Sequence, residues 1–390
     1  MFFPRPIAQE KDDAIDPLIL PVMHSHLLGD RRRAEAFQSA IARTVRPGDV
    51  VVDVGSGTGI LALFACQAGA ARVYAIERQR SLVPVIERLA RANGYADRLV
   101  VRTGEACDVE LPERADVLVS ELIGQFGVDE GAVHILADAA ARFLRPGGRL
   151  VPATLDVFVT PVESSAVRDA AEPWTAGVLG LDLSAARPWF ASALHAGLVS
   201  REELLGQPRT MLSVTLGASP VPPRTWIAEA EVDLERDGTL NALAGWFSLG
   251  MAPGLVFSTA PGEPATHWYQ ALLPLAEPLT VRSGDRLRFT IAAMLDPAAP
   301  VWSWRGHVER GGRSCGGFEH STLEAVAVPP SSATPDPTWR IEAAREITTA
   351  IDGRTTIAAL ADHLAAKFAG RYPSRERALS EVAAILEALA

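Results

Sequence analysis

Cysteine is scarce in this sequence, and the few cysteines are far apart. Cys66, Cys107 and Cys315 are the only three in 390 residues, and none belongs to a Cys-x-x-Cys pair. This spacing argues against a zinc site or a disulfide framework. We therefore expect three reduced thiols, no bound metal and a cytoplasmic protein.

Long apolar runs and an excess of basic residues are also absent. No run reaches the roughly 18 apolar residues that a membrane helix needs, and the first residues lack the regions of a signal peptide. We expect no membrane partner. The formal net charge of −10 argues against nucleic-acid binding, which calls for a basic face, and favours cationic partners.

The composition that remains is that of an ordinary globular protein. Apolar residues make up 48% of the chain, enough for a sizeable core, and the length allows two or three domains. We expect an N-terminal arm, an α/β domain, a mainly β domain, a linker and a small helical domain, at residues 1–22, 23–152, 153–328, 329–337 and 338–390.

The α/β domain is predicted from apolar strands that alternate with helices. A helical stretch is expected at roughly 24–44. The predicted strands that follow are 50–52, 72–76, 99–102, 117–120 and 149–151, with helices at 60–68 and 81–92. Such alternation predicts a parallel sheet covered on both faces.

The second domain is predicted from alternating strands and turn residues. Residues 228–234 alternate apolar and acidic side chains, which indicates a half-exposed strand. Asp237-Gly238 is a hairpin signal, and 283–285 is interpreted as a second hairpin turn. One helical insert is expected near 184–205, so the domain is mostly antiparallel β.

A glycine-rich turn, Asp53-Val54-Gly55-Ser56-Gly57-Thr58-Gly59, lies between a predicted strand and helix. Glycines there let a ligand approach the backbone closely. The dinucleotide fingerprint needs a third glycine where Ile60 stands, whereas D-x-G-x-G-x-G is the pattern of class I methyltransferases. Glu77 ends the next strand, where a carboxylate can accept both ribose hydroxyls. The set predicts an S-adenosylmethionine site.

Several separated motifs between about 24 and 325 resemble the protein arginine N-methyltransferases. They are 51–70, 108–112, 115–120, 143–148, the loop from Glu121 to Glu130, and Thr266-His267-Trp268. The resemblance implies a Rossmann-like class I methyltransferase domain followed by an antiparallel β-barrel domain. It also implies a helical dimerisation arm at about 179–205 and a homodimer.

The same resemblance implies the catalytic residues. Glu121 and Glu130 would grip a planar, permanently charged guanidinium through paired, charge-assisted hydrogen bonds. Asp30 would pair with His267, either to orient the catalytic loop or to relay a proton.

Cofactor contacts outside the glycine turn also follow from the resemblance. His24 and Arg33 would hold the methionine carboxylate. The family's adenine-side glutamate is replaced by Cys107, so we expect a mainly backbone contact at Ala106.

The sequence departs from the family at the walls of the substrate pocket. Leu122 replaces an aromatic residue, and the bulkier residues around Glu130 become Asp129, Gly131 and Ala132. These changes leave the substrate and the number of methyl groups open.

The tail carries three short amphipathic helical faces. They are Ile341, Ala344, Ile347 and Ile351; then Ile357, Leu360, Leu364 and Phe368; then Leu379, Val382, Ile385 and Leu389. Their order is similar to small peptide-chaperone domains of the PQQ-synthesis type, which bind leader peptides. A plain structural cap is the alternative, because such faces are usually core.

Three functions remain open from the sequence. The first is methylation of an arginine guanidinium in a peptide, a protein or free arginine. The second is methylation of another nucleophile in natural-product biosynthesis. The third is an inactive scaffold with a peptide-binding tail, against which the presence of Asp53, Glu77, Glu121 and Glu130 argues.

Overall fold

The computed structural model describes residues 19–219, 223–295, 300–322 and, within the tail, 346–347, 350, 355–368, 375, 378–379 and 382. The chain divides into two compact units, Met1–Val326 and Ala327–Ala390. Within the described residues, no helix is both long and apolar enough to cross a membrane.

The first unit begins with two helices, α1 (Leu20–Gly29) and α2 (Arg31–Thr44). The predicted helical stretch at about 24–44 is present, but it begins earlier, at Leu20, and is interrupted at Asp30. Asp30 leaves the helical conformation and caps α2, since its carboxylate accepts a hydrogen bond from the backbone N–H of Arg33 at 2.9 Å. Aspartate is favoured at this position because it satisfies an otherwise unpaired N–H.

A five-stranded sheet follows, with order β3-β2-β1-β4-β5 and every neighbouring pair parallel. Its strands are β1 (Val50–Val54), β2 (Arg72–Glu77), β3 (Leu99–Thr103), β4 (Ala115–Ser120) and β5 (Leu144–Val151). All six residues of β4 are buried, as expected for a strand covered on both faces. The predicted Rossmann-like domain is confirmed.

Three further helices join these strands: α3 (Ile60–Gln67), α4 (Val83–Ala92) and α5 (Ala132–Phe143). From β1 the chain proceeds to one side through β2 and β3, then returns to the other side of β1 as β4. A crevice for ligands forms at the carboxyl ends of the strands where the order reverses. The glycine turn, Glu77 and Glu121 follow or end β1, β2 and β4 at that edge.

The second domain consists of two antiparallel sheets, which confirms the predicted class. One has the order β7-β12-β10-β6-β8 with β11 paired to β10, and the other has the order β15-β14-β13-β9. The strands are β6 (Thr154–Val162), β7 (His195–Gly197), β8 (Arg209–Thr215), β9 (Thr225–Asp233), β10 (Gly238–Ala252), β11 (Leu255–Ser258), β12 (Gln270–Val281), β13 (Arg286–Met294), β14 (Val301–Arg310) and β15 (Arg313–Ser321).

Both predicted hairpins are wrong. The turn at Asp237-Gly238 links β9 to β10, and the turn at 283–285 links β12 to β13, yet each pair of strands lies in different sheets. The two turns bond to each other instead: Gly284 N–H donates to Leu234 O at 2.8 Å, and Ser283 N–H to Asp237 Oδ1 at 2.9 Å. Turn residues identify where a chain bends, but they do not identify which strands pair on either side of the bend.

The helical insertion begins earlier in the chain than predicted. It comprises α6 (Ser165–Ala176), a 3-10 turn (Ser184–Ala186), α7 (Arg187–Ala191) and a second 3-10 turn (Arg201–Glu203), with strand β7 between the last two. Helix α6 begins at a serine cap, since Ser164 Oγ accepts from Val167 N–H at 3.2 Å.

In the tail unit, one described helix, α8 (Ile357–Lys367), begins at Thr356, whose hydroxyl accepts from Ala359 N–H at 3.2 Å. Leu360 and Leu364 are buried as predicted, but Ile357, in the first turn, is 51% exposed and does not belong to the core. The other buried apolar residues are Ile347, Ala361, Ala378 and Val382. The linker 329–337 and Ile341, Ala344, Ile351, Ile385 and Leu389 fall outside the described residues.

Candidate active site

The glycine turn after β1 has the conformation that glycine permits. Gly55, Gly57 and Gly59 have φ values of 73°, 56° and 82°, in the left-handed region that other residues rarely adopt. A Cβ added at Gly57 would lie 2.9 Å from the His24 ring, and one at Gly55 would lie 2.7 Å from Leu122. The turn therefore presents bare backbone at the edge of the crevice.

Asp53, at the end of β1, is fully buried. Its Oδ2 accepts a hydrogen bond from Ala62 N–H at 3.1 Å, whereas Oδ1 has no partner among the described residues. Burial raises the pKa of this carboxyl to about 7. A buried acceptor without a donor is costly, so a ligand that supplies a donor would be favoured here.

Glu77 lies beside the turn at the end of β2. Its two oxygens accept hydrogen bonds from Gly57 N–H and Gln79 N–H, both at 2.7 Å. Burial raises the pKa of Glu77, and these two hydrogen bonds oppose the rise. Each carboxylate oxygen keeps a second lone pair, so the group can still accept ribose hydroxyls. The bare turn, the unpaired Asp53 oxygen and this carboxylate together fit S-adenosylmethionine.

The remaining predicted cofactor residues differ in their surroundings. His24 is half-buried over Gly57, and burial, followed by the charge of Arg33, lowers its pKa. The carbonyl of Ala106 accepts from Arg142 Nη1 at 2.6 Å, and Cys107 is exposed. The roles assigned to these residues in cofactor binding stay predictions.

Arg33 has a partner that the sequence did not indicate. Its Nε donates to Glu121 Oε2 at 2.9 Å, and its Nη2 forms a second, shorter bond to the same oxygen. The side chains are only 7% and 8% exposed. Glu121 Oε1 accepts from Ile123 N–H at 3.1 Å. A predicted cofactor residue and a predicted acceptor residue are thus joined by a buried ion pair.

Asp30 and His267 are in direct contact. Asp30 Oδ2 lies 2.9 Å from His267 Nδ1 and accepts from the His267 backbone N–H at 2.9 Å. Burial favours protonation of Asp30, but the hydrogen bonds from His267 and from Arg33 N–H prevail and lower its pKa. The carboxylate is therefore held ionised against the imidazole, while its role in catalysis stays a prediction.

Residues 121–130, here the acceptor loop, connect β4 toward α5 and carry both predicted glutamates. Glu130 is partly buried. It precedes Gly131, the N-cap residue of α5, which has a left-handed φ of 79°. The loop is fixed to the β domain at Ile123, whose carbonyl accepts from Trp268 Nε1 at 2.6 Å. Gln125 Nε2 makes a second attachment, since it donates to the carbonyls of His195 and Gln270 at 3.1 and 3.2 Å.

Sequence reasoning missed these attachments. Trp268 was identified only as part of a motif, and nothing in the sequence near Gln125 indicates that its partners lie 70 and 145 residues away. A third attachment of the loop that the sequence did not indicate is at Gly245. The ring of Phe126 packs against this glycine so closely that a Cβ added there would lie 2.0 Å from the ring.

The two domains match two families of known proteins. Residues 153–299 match the arginine methyltransferase oligomerization subdomain. Residues 36–154 match the ribosomal protein L11 methyltransferase family.

Individual relatives and solved structures agree with these matches. The chain is 30% identical over 278 residues to protein arginine N-methyltransferase 6 of Xenopus tropicalis, covering 68% of this chain and 81% of that protein. It is 30% identical over 277 residues to arginine N(omega)-methyltransferase of Streptomyces achromogenes subsp. streptozoticus, covering 69% and 75%.

Two solved structures share the fold at 22% identity and a TM-score of 0.68. One is the enzyme–prozyme heterotetrameric complex of protein arginine methyltransferase 1 from Trypanosoma brucei with AdoHcy, for which 77% of this chain and 96% of that chain are covered. The other is protein arginine methyltransferase 10 of Arabidopsis thaliana, covered at 77% and 97%. The chain belongs to the protein arginine N-methyltransferase family.

Proposed function

We propose that this enzyme transfers a methyl group from S-adenosylmethionine to a nitrogen of an arginine guanidinium. One observation carries the proposal: Glu121, at the edge of the cofactor crevice, already binds a guanidinium, that of Arg33. The carboxylate therefore has the position, burial and geometry that such a group requires. A substrate guanidinium would compete with Arg33 for it.

When bound, S-adenosylmethionine supplies an electrophilic methyl group on its sulfonium. The chain's part is to orient the acceptor, because positioning is a large share of catalysis in a direct displacement. Glu121 and Glu130 would hold the guanidinium through charge-assisted hydrogen bonds. A new N–CH3 bond forms as the sulfonium S–CH3 bond breaks, and the nitrogen then releases a proton. The Asp30–His267 pair would receive this proton or fix the loop.

A direct assay tests this proposal. The protein is incubated with methyl-labelled S-adenosylmethionine and either free L-arginine or a short arginine-containing peptide, and products are identified by mass spectrometry. We expect methylarginine from at least one acceptor and a strong loss in Glu121→Gln, with cofactor affinity nearly unchanged. Glu87→Gln, an exposed carboxylate on α4, is the control. Label on a different nucleophile contradicts the proposal and favours methylation of another acceptor. No label on any acceptor contradicts it and favours an inactive scaffold.

We also infer that the enzyme is a homodimer. The tip of the insertion exposes apolar side chains, since Leu179 is fully exposed and Leu181 is 67% exposed. The base of the insertion is packed, since Trp174 meets Trp189 and Phe190 at ring distances of 5.6 and 6.4 Å. A firmly held segment that presents apolar groups to solvent marks an interaction surface.

A second copy of the chain offers a surface to receive this tip. Helices α2 and α3 form a shallow groove of about 310 Å³ lined by Ala42, Phe64 and Ala68 among others. The match of 153–299 to an oligomerization subdomain supports this occupant. Sedimentation should show a dimer that Leu179→Glu with Leu181→Glu converts to a monomer. Ile227→Glu, at a residue about as exposed as Leu181 but on β9, should stay dimeric. A monomeric intact chain contradicts the inference.

The cytoplasmic location expected from the sequence stays a prediction. It is supported by the three cysteines, all of which are free thiols.

A further inference from the structure

The acceptor loop contains a third carboxylate, Asp129, directly before Glu130. Its Oδ2 accepts a hydrogen bond from Gln125 N–H at 3.1 Å, and its Oδ1 accepts one from Phe126 N–H at 2.9 Å. Both oxygens are therefore directed back into the loop, toward two consecutive backbone N–H groups. Such a pair of N–H groups forms a small concave site for an anion.

Gly124 makes this arrangement possible. A Cβ added at Gly124 would lie 2.2 to 2.5 Å from the three atoms of the Asp129 carboxyl group, which is far inside any allowed contact. The carboxylate thus occupies the space that a side chain at 124 would fill. Gly127 N–H donates to the Gly124 carbonyl at 3.0 Å, so residues 124–127 form a turn whose two central N–H groups are the ones bound by Asp129.

We propose that Asp129 is a positioning residue for methyl transfer, holding Glu121 and Glu130 in register through the backbone of residues 124–126. The inference rests on the proposed function and deepens it. Glu121 is fixed at one end of the loop by β4 and by its bond to Ile123 N–H. Glu130 lies between Asp129 and Gly131, so the Asp129 contacts fix its backbone from one side and α5 from the other.

Charge supports the same role. Three carboxylates within ten residues repel one another, and an Asp129 side chain free to turn outward would compete for the substrate guanidinium. Two backbone N–H donors instead stabilise its charge inside the loop. The two glutamates are then left to face the acceptor, while Asp129 acts only through them.

The test uses the full-length protein and four variants: Asp129→Ala, Asp129→Asn, Gly124→Ala and the double Gly124→Ala/Asp129→Ala. Asp138→Ala, which removes a partly exposed carboxylate from α5, is the matched control. Amide hydrogen exchange at Gln125 and Phe126 reports the contact directly, without any need for activity. Cofactor Kd, and kcat and KM for methylation of L-arginine or an arginine peptide, report its consequence.

Asp129→Ala should accelerate exchange at both amides by about tenfold or more and lower kcat by about 100-fold, as expected for a misplaced reacting group. Cofactor Kd should stay within about twofold. Asp129→Asn keeps one acceptor oxygen and should recover part of kcat. Because Gly124→Ala breaks the same contact, the double variant should be no worse than the poorer single variant.

Three results would each overturn the inference. The first is unchanged exchange at Gln125 and Phe126 in Asp129→Ala. The second is faster exchange with kcat still within about twofold of the wild type. The third is a fall in kcat that the Asp138→Ala control shares. If the wild-type protein methylates neither acceptor, the proposed function fails, and the exchange rates alone then decide whether Asp129 holds the loop.

Discussion

The buried carboxyl of Asp53 leads to a quantitative prediction about stability. Its pKa is raised by burial from 3.8 to about 7, so between these values the folded protein keeps a proton that the unfolded chain has released. Folded stability must therefore fall as pH rises through this window and become level above about 7. The full difference, at 1.36 kcal/mol per pKa unit, is about 4 kcal/mol.

Asp53→Asn isolates this effect, because asparagine is neutral at every pH and close to the same size. The free energy of unfolding of the cofactor-free protein is measured with urea from pH 5.5 to 8.5. The free energy of unfolding of the variant, minus that of the wild type, should rise by about 2 kcal/mol between pH 5.5 and 7. Above pH 7 this difference should stay level. Titrating groups that do not interact with Asp53 cancel in the comparison.

The same substitution should weaken S-adenosylmethionine binding, since Oδ1 lacks a donor in the free protein and an amide NH2 at that place offers the wrong polarity. Glu87→Gln, which also removes one negative charge, is the control and should show no gain of this kind. A stability difference between wild type and Asp53→Asn that stays within about 0.5 kcal/mol over the whole pH range would refute the reasoning.

Three further predictions concern the cofactor turn, the acceptor loop and the tail. Gly57→Leu should abolish S-adenosylmethionine binding in a calorimetric titration while the far-ultraviolet circular dichroism is kept, because a side chain there meets His24 at 2.9 Å or less; measurable binding contradicts it. Trp268→Phe should lower stability by about 1–3 kcal/mol and lower kcat, since it leaves the buried Ile123 carbonyl without its donor; unchanged values of both refute this. Removal of 338–390 should raise the apparent KM for a long peptide and spare L-arginine if the tail recruits peptides, whereas equal loss on both substrates with a lower Tm indicates a structural cap.

Much of the cofactor domain could be predicted from the sequence because its signals are local. A run such as Val50–Val54 becomes a buried strand wherever it packs, and the glycines of 55–59 are required by backbone angles within the turn itself. Glu77 follows from its place at the end of a strand. These features depend on neighbours in the chain, so pattern and spacing are enough.

The antiparallel domain was predicted less well because its pairing is not local. The turns at 237–238 and 283–285 were recognised as turns, yet each carries the chain from one sheet to the other. Strand β10 pairs with β6 and β12, not with its predecessor β9. Sheet membership depends on which apolar faces meet in the core, and no short window of sequence contains that information.

The active site combines features set by local sequence with features set by non-local contacts, and α2 is an example. Arg32 and Arg33 are consecutive, so on a helix their side chains point about 100° apart. Arg32 donates to the carbonyls of Ser258 and Pro264, both at 2.8 Å, and thereby fastens α2 to the β domain. Arg33 turns inward to Glu121. The sequence indicates three cations at the start of a helix, Arg31 to Arg33, but only the tertiary fold assigns Arg32 to structure and Arg33 to the acceptor loop. Arg33 is also the predicted ligand of the cofactor's carboxylate. If it has both contacts, the two halves of the site share a single guanidinium, and Arg33→Lys should weaken both cofactor binding and methyl transfer.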